Sequence, residues 1–557
     1  MKRTIIIAIA VLQTITTACY GQVLISQMDL QKSAVNFTPE FVSLSKSISS
    51  NSLISIEYTY DRFGNKSTVT HPDTDALTYN YDDLNRLTSV VCGPLSVVSY
   101  TYDSASRMTT KTLENGTVST YGYDSVNRLT SITNPNMSYT YDNVGNRLTK
   151  TNTYGVHTHG YDSTYRLLTA DNPDTIGDEI YSYDSVGNRL TNEDYADWTY
   201  NAGNQLTNYN STIFTFDNNG NTTTKVNTEG TTTYAWDTEN RLLSAVTPSK
   251  TVAFYFDSFG KRLSKTVGGT AIWYFYDNED IVAEYDSSGT LLRSYVHGQG
   301  IDEPTKMTNH ITGINYYYLI DGLGSITEIQ DNVGTTVEKY SYDSFGNVTL
   351  KDNTDVIIAR SAIGNFYAFT GREYDREIGL YYYRARYYDP VTGRFISEDQ
   401  LTKYLNLFYE MLEKPQQLNP YVYCNDNPIV YKDPQGNSSI PVEPDWVADR
   451  VYNYIEKKAQ EVVKSIGICF NIKTDVATNW KRTGKFELFK SSFDDTREEN
   501  QTFVVYEYYS IRKDVKTCKC YASAWHNLPA RGGGWKIVVD IESTSKKCEI
   551  PCGLAGL

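Results

Sequence analysis

Residues 366–437 read FYAFTGREYDREIGLYYYRARYYDPVTGRFISEDQ (366–400), then an interruption, then LNPYVYCNDNPIVYKDPQGN (418–437). The stretch is dense in Tyr, which favours half-buried strands, and it is punctuated by Asp-Pro and Gly, which favour turns. It also divides the chain, because a repetitive acidic part precedes it and a non-repetitive part follows it. The stretch therefore predicts a unit that closes a long series of upstream repeats.

One short motif recurs upstream at a step of about twenty residues, which is typical of repeat proteins. The motif begins with aromatic-x-aromatic-Asp, where x is any residue. Two or three small or polar residues follow, and then Asn-Arg-Leu-Thr or a similar sequence. The aromatic directly before the Asp falls at positions 60, 81, 102, 123, 141, 161, 183, 216, 236, 256 and 276.

Each repeat predicts a strand, a turn and a returning strand. Aromatic residues two apart lie on one face of a strand, and Asp-x-x-Gly-Asn supplies turn chemistry. A hairpin of this size cannot bury its own apolar face, so successive hairpins must join edge to edge. Because strand twist has one hand, we expect a mainly β fold in which a continuous antiparallel sheet coils into a spiral.

The YDxxGNRLT units, followed by DGLGSITEIQDNVGTTVEKYSYDSFGN (321–347) and GLYYYRARYYDPVTGRFISED (379–399), resemble the bacterial Rhs/YD-repeat family. The resemblance implies a spiral β-sheet shell of little more than one turn, capped by a Rhs repeat-associated core. In many members the shell encloses a variable C-terminal effector, often a toxin, which the core cuts free. Related animal proteins act in cell-surface adhesion.

We expect five segments: an export signal (1–22), an N-terminal stem (23–52), the YD-repeat β-shell (53–310), the repeat-associated core (311–437) and a small α+β C-terminal domain (438–557). The first segment, MKRTIIIAIAVLQTITTACYGQ, has a basic start and a short apolar run, as export signals do. Cys19 after Ala18 leaves a lipid anchor as an alternative to simple cleavage. No later segment is apolar enough for a transmembrane helix.

The net charge of the chain is −15, and the residues before 438 carry more than all of it, 33 basic against 50 acidic residues, which argues against nucleic-acid binding by the shell. A sheet wrapped around a folded domain of about 120 residues needs about 30 strands for one turn. The repeats supply on the order of 35 to 40 strands, each only about 17–20 Å long. We therefore expect the C-terminal domain to pack outside the shell or to close one of its ends, with an unfolded tail inside as the alternative.

The family's core is similar to an aspartyl protease that cuts its own chain, and the matching positions here are Asp399 and Asp433. Two carboxylates held close together would differ in pKa, so one could act as base and the other as acid. Arg394 could orient a carboxylate or the scissile carbonyl. Gln400, Thr402 and Asn437 depart from the family's Pro, Gly and Leu. The alternative is an Asp-Pro turn in which Asp433 accepts local backbone N–H groups.

The C-terminal domain offers little chemistry. Residues 445–466 predict an amphipathic helix, and the later residues predict strands. His526 and Arg531, with Lys536 and Asp540, could form a general acid–base and phosphate-binding site of an RNA-cleaving toxin; a hairpin turn with a surface His is the alternative. Five Cys residues predict disulfides, with zinc binding as the less typical alternative: Cys469, Cys518, Cys520, Cys548 and Cys552.

Two functions fit these features. The first is an exported Rhs-type delivery or display protein whose C-terminal effector acts in competition between cells. Its partners would be a cognate immunity protein and a secretion machinery. The second is a cell-surface adhesion protein whose Tyr-rich sheet binds surface glycans. Neither requires a cofactor, and we expect a monomer.

Overall fold

The structure, a computed structural model, describes residues 56–71, 75–173, 177–400 and 419–437, and outside these ranges the backbone of a few short strands. Antiparallel strands dominate, and none of the residues in these ranges forms an α-helix. The prediction of a mainly β chain built from antiparallel hairpins is confirmed. Over these ranges, no helix has the length and apolarity needed to cross a membrane.

Strands pair with their neighbours in sequence order, so the hairpins join edge to edge. The first sheet contains β1 (Arg3–Ile5), β2 (Ile56–Tyr60), β3 (Lys66–Thr70), β4 (Leu77–Tyr81), β5 (Leu87–Cys92), β6 (Leu95–Tyr102), β7 (Met108–Leu113), β8 (Val118–Tyr123), β9 (Leu129–Ile132), β10 (Met137–Tyr141), β11 (Arg147–Asn152), β12 (Gly155–Tyr161), β13 (Leu167–Asp171) and β14 (Glu179–Ile180). A short pair follows: β15 (Ser182–Tyr183) and β16 (Arg189–Thr191).

The next sheet has sixteen strands in sequence order. They are β17 (Thr199–Tyr200), β18 (Leu206–Tyr209), β19 (Thr212–Phe216), β20 (Thr222–Asn227), β21 (Gly230–Trp236), β22 (Leu242–Val246), β23 (Thr251–Phe256), β24 (Arg262–Val267), β25 (Thr270–Asp277), β26 (Asp280–Asp286), β27 (Leu291–His297), β28 (Pro304–Asn309), β29 (Ile314–Ile320), β30 (Ile326–Gln330), β31 (Thr336–Tyr342) and β32 (Val348–Asp352). We call β1–β32 the strip.

Two seams interrupt the hydrogen-bond ladder of the strip. At the first, Tyr181 alone separates β14 from β15, and its N–H donates to the Leu168 carbonyl at 2.7 Å. At the second, residues 192–198 separate β16 from β17, and the Tyr200 hydroxyl donates to the Arg189 carbonyl at 2.7 Å. The hairpins on either side of each seam therefore stay in contact.

The strip returns on itself. The Tyr58 hydroxyl on β2 donates to Asp277 on β25 at 2.7 Å, and Lys111 on β7 pairs with Glu303 near β28 at 2.6 Å. Apolar side chains also meet across the turn, because one buried cluster joins residues of the first and second sheets: Leu77, Leu87, Val90, Val98, Tyr100, Leu113, Tyr317 and Leu319. The strip thus makes little more than one turn, and the first sheet packs on the face of β29 that carries Tyr317 and Leu319. The opposite face of β29, with Tyr316 and Tyr318, packs on Tyr367 of the core.

The Arg of a typical repeat ties one hairpin to the next. Arg107 Nε donates to Asp103 Oδ2 at 2.7 Å within its own turn, and its Nη1 donates to the Asp124 carbonyl of the next turn at 3.2 Å. The guanidinium also lies 5.0 Å from the ring centroid of Tyr123, whose hydroxyl donates to the Met108 carbonyl. This charged, bidentate contact explains why Asp, Arg and Tyr recur together. The two hydrogen bonds of the Arg side chain, to the Asp of its own turn and to the carbonyl of the next turn, recur at Arg86, Arg128, Arg166 and Arg241.

Repeats with Gly-Asn-Arg place their Arg differently. Gly145 occupies the fourth position of its turn with a φ of 97°, so Arg147 becomes the first residue of β11. There it is buried on the inner face, 4.4 Å from the ring centroid of Tyr139. The following Leu148 points outward and is 38% exposed, whereas Leu87 of an Asn-Arg-Leu repeat is 5% exposed. The turn that contains Gly therefore places the Arg and the Leu one residue later than in the other repeats. As a result the Arg faces the inside of the strip and the Leu faces outward.

The core contributes a four-stranded antiparallel sheet inside the strip: β33 (Glu373–Asp375), β34 (Leu380–Tyr383), β35 (Arg386–Asp389) and β36 (Arg394–Phe395). One face packs on the inner side of β21–β24, through Leu380, Tyr382, Tyr387 and Ile396. The other face packs on residues 323–369 and 423–424, through Tyr381, Tyr383, Tyr388 and Phe395. Short 3-10 turns occupy Phe369–Gly371 and Cys424–Asp426.

Buried ion pairs fix the core to the strip. Arg372 Nη1 lies 2.6 Å from Asp302 Oδ1, and Arg384 Nη2 lies 2.7 Å from the same oxygen. Burial alone would raise the pKa of Asp302, but these two guanidinium groups lower it to about 2. The hairpin tip that carries Asp302 is thereby held against β34.

After the core, β37 (Tyr431–Lys432) pairs with β38 (Ile440–Pro441). Four further backbone strands form a sheet in the order β39, β42, β41, β40: β39 (Asn471–Ile472), β40 (Ser510–Asp514), β41 (Lys519–Leu528) and β42 (Gly533–Glu542). The helix predicted over 445–466 lies outside the described residues.

Candidate self-cleavage site

The two predicted carboxylates, Asp399 and Asp433, converge on one guanidinium. Arg386 Nη2 lies 3.0 Å from Asp399 Oδ2 and 3.5 Å from Asp433 Oδ2. The side chains of Arg386 and Asp433 are almost fully buried, and that of Asp399 is 14% exposed. The sequence therefore identified two side chains that the fold brings together, across the interruption at 401–418.

The strand β35 positions Arg386. Its guanidinium stacks 3.6 Å from the ring centroid of Phe395 on β36, and its Nη1 donates to the Pro420 carbonyl at 2.8 Å. The backbone N–H of Asp399 donates to the same carbonyl at 3.0 Å. Pro420 thus joins the two segments that flank the interruption, and it brings Asp399 beside Arg386.

A tight turn positions Asp433. The Gly436 N–H donates to the Asp433 carbonyl at 3.3 Å, and the Asn437 N–H donates to Asp433 Oδ1 at 3.0 Å. Gly436 has a φ of 74°, and a Cβ there would lie 2.3 Å from the Tyr383 carbonyl oxygen, so only glycine fits. This is the Asp-Pro turn that the sequence offered as the structural alternative.

The peptide bond between Gly436 and Asn437 is held at both ends. Arg386 Nε donates to the Gly436 carbonyl oxygen, while Asp433 accepts the Asn437 N–H. The cluster thus contains one cation, two carboxylates and one backbone peptide, and the site has little exposure to water.

Arg394 lies elsewhere. Its Nη1 donates to Asn188 Oδ1 at 3.2 Å, and its Nη2 donates to the Asn204 carbonyl at 2.6 Å and to Asn419 Oδ1 at 3.3 Å. These contacts bridge the seam between β16 and β17. The guanidinium that contacts the two carboxylates is Arg386, not Arg394.

The sequence missed Arg386 and Cys424. Arg386 sits in a run of tyrosines, where a lone charge among residues of buried type was the available signal. Cys424 is a buried free thiol whose pKa is raised by burial and then by the nearby Asp433 carboxylate. No motif at Cys424 indicated that it would lie close to Asp433.

Of the candidate residues in the C-terminal domain, only backbone positions are described. His526 lies on β41 opposite Trp535 of β42, and Cys520 lies on β41 opposite Ile541. Arg531 and the cysteines at 469, 518, 548 and 552 lie outside the described residues, as does Cys19. Their predicted roles stay predictions. Among the residues with described side chains, no cluster of His, Cys, Asp or Glu could hold a metal ion.

The comparisons with known proteins agree with this architecture. The family model described as Teneurin YD-shell matches residues 2–155 and 146–429, most of the chain. The chain belongs to the Teneurin YD-shell family. The predicted identity as a Rhs/YD-repeat protein is thereby confirmed. The match ends before the C-terminal domain, and it begins inside the stretch predicted as an export signal.

Several relatives of this YD-shell chain are much longer. The tRNA nuclease WapA of Bacillus subtilis (strain 168) is 30% identical over 244 residues, which cover 43% of the chain and 10% of the relative. Toxin subunit YenC1 of Yersinia entomophaga is 30% identical over 159 residues, 28% of the chain and 14% of the relative. Salivary gland surface protein 1 of Aedes aegypti is 30% identical over 152 residues, 27% of the chain and 4% of the relative.

Solved structures share the YD-shell fold at low identity. The crystal structure of TcdB2-TccC3 superposes with a TM-score of 0.54 at 18% identity, covering 72% of this chain and 23% of that chain. The pore of the Photorhabdus luminescens Tc holotoxin superposes with a TM-score of 0.56 at 18% identity, covering 69% of this chain and 21% of that chain. The likeness establishes the fold of the strip and its core.

Proposed function

We propose that this YD-shell chain is an exported, toxin-related protein that displays or delivers residues 438–557 as an effector. The observation that carries the proposal is the kind of relative that shares the shell: a tRNA nuclease and a toxin subunit, each at 30% identity. The described core ends at Asn437, directly before a segment without repeats and with a nearly balanced charge. A change of both pattern and charge is typical of a boundary between carrier and cargo.

Within this proposal, His526 and Arg531 are the candidate residues of an RNA-cleaving effector. An imidazole can transfer protons near neutral pH, and a guanidinium binds phosphate bidentately. The partners would be a cognate immunity protein, a secretion machinery and a second toxin component, since the solved neighbours pair TccC3 with TcdB2. Residues 1–22 would direct export, with Cys19 as the alternative lipid anchor.

Growth measurements test the proposal. The full chain is expressed in a bacterium with and without residues 1–22, beside a matched chain that stops after Asn437. We expect growth arrest only for the full chain without the export signal, because the effector then stays in the cytoplasm. His526→Ala in the full chain should relieve the arrest. Equal growth of all four strains would contradict an effector role for residues 438–557.

The adhesion alternative gains no support from the placement of the tyrosines. Most repeat tyrosines face the inside of the strip or donate their hydroxyl groups to a carbonyl of the preceding hairpin, as Tyr102 and Tyr123 do. Among the residues with described side chains, few tyrosines are exposed: Tyr60, Tyr154 and Tyr165. A Tyr-rich outer surface for glycans is therefore not what this fold presents.

A further inference from the structure

A cavity lies between the inner face of the first sheet and the core, away from the candidate self-cleavage site. Basic side chains of β11 and β12 line one wall of it: Arg147, Lys150 and His159. Turns of the second sheet and apolar residues of the core line most of the rest. The cavity contains about 430 Å³ of space, counted with its opening to solvent. A space of this size can take a small ligand.

Arg147 reaches this cavity because of the Gly in its turn. Asn146 Nδ2 donates to Asp142 Oδ2 at 2.8 Å, and so takes the place that the guanidinium of Arg107 takes beside Asp103. The side chain of Arg147 is buried, and its Nε has no hydrogen-bond partner among the residues that the structure describes. Because a buried polar group without a partner is costly, this nitrogen calls for an acceptor in the cavity.

Two other arginines follow a turn with the same Gly, and each has a different environment. Arg262 forms a buried ion pair with Asp375 of the core. Arg189 is enclosed by aromatic rings, two of which have their centroids 4.5 and 4.1 Å from its guanidinium. Among the described side chains no carboxylate pairs with Arg147, which has one such ring, that of Tyr139 at 4.4 Å. The acceptor that Asp375 supplies to Arg262 is thus missing at Arg147.

The electrostatic potential at this wall of the cavity is positive. Burial first, and then the charges of Lys150 and Arg147, lower the pKa of His159 to about 3. Its Nδ1 is a second buried polar atom that lacks a hydrogen-bond partner within the described part of the chain. A wall that opposes a further positive charge favours a negative one in the adjoining space.

Two carboxylates also line the cavity, but their own turns engage them. The N–H groups of Leu323 and Ser325 donate to Asp321 Oδ1 at 2.8 and 2.9 Å. Asp343 Oδ1 accepts two backbone N–H groups of its turn in the same way, at 3.0 and 2.8 Å. Burial also raises the pKa of Asp343, which opposes its negative charge. These carboxylates therefore fix turns and do not occupy the place of a ligand.

We propose that this cavity binds a small oxyanion, either a carboxylate or a phosphate, which accepts hydrogen bonds from Arg147 and lies beside Lys150 and His159. The oxyanion does for Arg147 what Asp375 does for Arg262, since a guanidinium binds carboxylate and phosphate groups alike through paired N–H donors. The site lies on the inner face of the strip, so the shell covers the bound group. It does not depend on residues 438–557 being an effector.

The ring signals of His159 test the site in the full chain by nuclear magnetic resonance, with isotopically labelled histidine and with His159→Gln to assign the signal. Sodium acetate and sodium phosphate are titrated separately at neutral pH, and sodium chloride keeps the ionic strength constant. We expect a saturable shift of the His159 signal at millimolar concentrations of the anion. A shift with acetate alone identifies carboxylates as the ligand class, and a shift with phosphate alone identifies phosphates. No saturable shift with either salt would overturn the proposal.

Variants of the basic wall complete the test. Because charge-assisted hydrogen bonds are lost, we expect Arg147→Gln to weaken anion binding about tenfold or more, with a smaller effect for Arg147→Lys. Arg241→Gln removes a guanidinium that pairs with Asp237 in its own turn, so it is the matched control and should leave binding unchanged. If Arg147→Gln fails to fold, Lys150→Gln is measured in its place. Undiminished binding in the folded variant, or an equal loss in Arg241→Gln, would contradict the proposal.

Discussion

Asp426 is a buried carboxyl that lies in the 3-10 turn beside the candidate site. Burial raises its pKa to about 7, although Arg189, Arg394 and Arg166 oppose that shift. One of its oxygens would lie 2.8 Å from a Cβ on Gly187, so the shell closes tightly over it. The folded protein therefore holds a proton that the unfolded chain releases at lower pH.

This proton makes stability depend on pH. A carboxyl with a raised folded-state pKa contributes stability that is present below its unfolded pKa and lost as pH rises through about 7. Asp426→Asn keeps the shape and removes the titration. We expect the variant to gain stability relative to the parent between pH 5 and pH 8, on the order of a few kcal/mol, as measured by thermal midpoints.

Asp302→Asn is the contrasting control. The pKa of Asp302 is lowered to about 2 by its two arginines, so its contribution is constant across pH 5 to 8 and is lost only in acid. Asp302→Asn should be destabilising by a similar amount at every pH in that window. A stability difference between Asp426→Asn and the parent that does not change with pH would contradict the assignment.

The length of the turn determines which face of the sheet each following residue occupies. Leu167 follows Arg166, the fifth residue of a turn that starts at Asp162, and is fully buried against Tyr181, Phe345 and Ile429. Leu148 follows a Gly-Asn-Arg turn and lies on the outer face. Two leucines that look equivalent in the repeat therefore differ in environment.

Alanine substitution of Leu167 and of Leu148 tests whether the Gly-Asn-Arg turn moves the Leu from the inner to the outer face. Leu167→Ala empties a packed site and should cost about 2–5 kcal/mol of unfolding free energy. Leu148→Ala removes a half-exposed side chain and should cost less than about 0.5 kcal/mol. Denaturant unfolding of the two variants measures the difference. Equal costs would mean that the Gly does not shift the motif.

The hairpins were predictable from the sequence because aromatic spacing, turn residues and repeat length all indicate the same unit. The inward placement of Arg147 was not predictable from the sequence. When all repeats are treated as one motif, the additional turn residue before Arg147 and its effect on the strand faces are overlooked. The same limit applies to His157 and His159, whose burial on the inner face does not follow from their alternation along one strand. Burial on that face depends on the second sheet, which lies more than a hundred residues away in sequence.

The candidate site was predictable in part for a similar reason. Asp399 and Asp433 match positions of the core in the family that the sequence resembles, whereas Arg386 gains its role only when β35 places its guanidinium against both carboxylates. At the scale of the whole molecule, each of these placements depends on one feature: the strip turns back so that early and late hairpins meet. Tyr58 and Lys66 both contact Asp277 across that turn.

The most direct test of this claim is zero-length carbodiimide cross-linking of the full chain, read by mass spectrometry. Lys66 Nζ lies 2.8 Å from Asp277 Oδ2, and the local pair Lys339 and Asp355, also 2.8 Å apart, is the internal positive control. We expect a link between Lys66 and Asp277 within single molecules, as shown by mixing isotopically labelled and unlabelled chains, and its loss in Lys66→Arg. Formation of the Lys339–Asp355 link without the Lys66–Asp277 link would contradict the coiled strip.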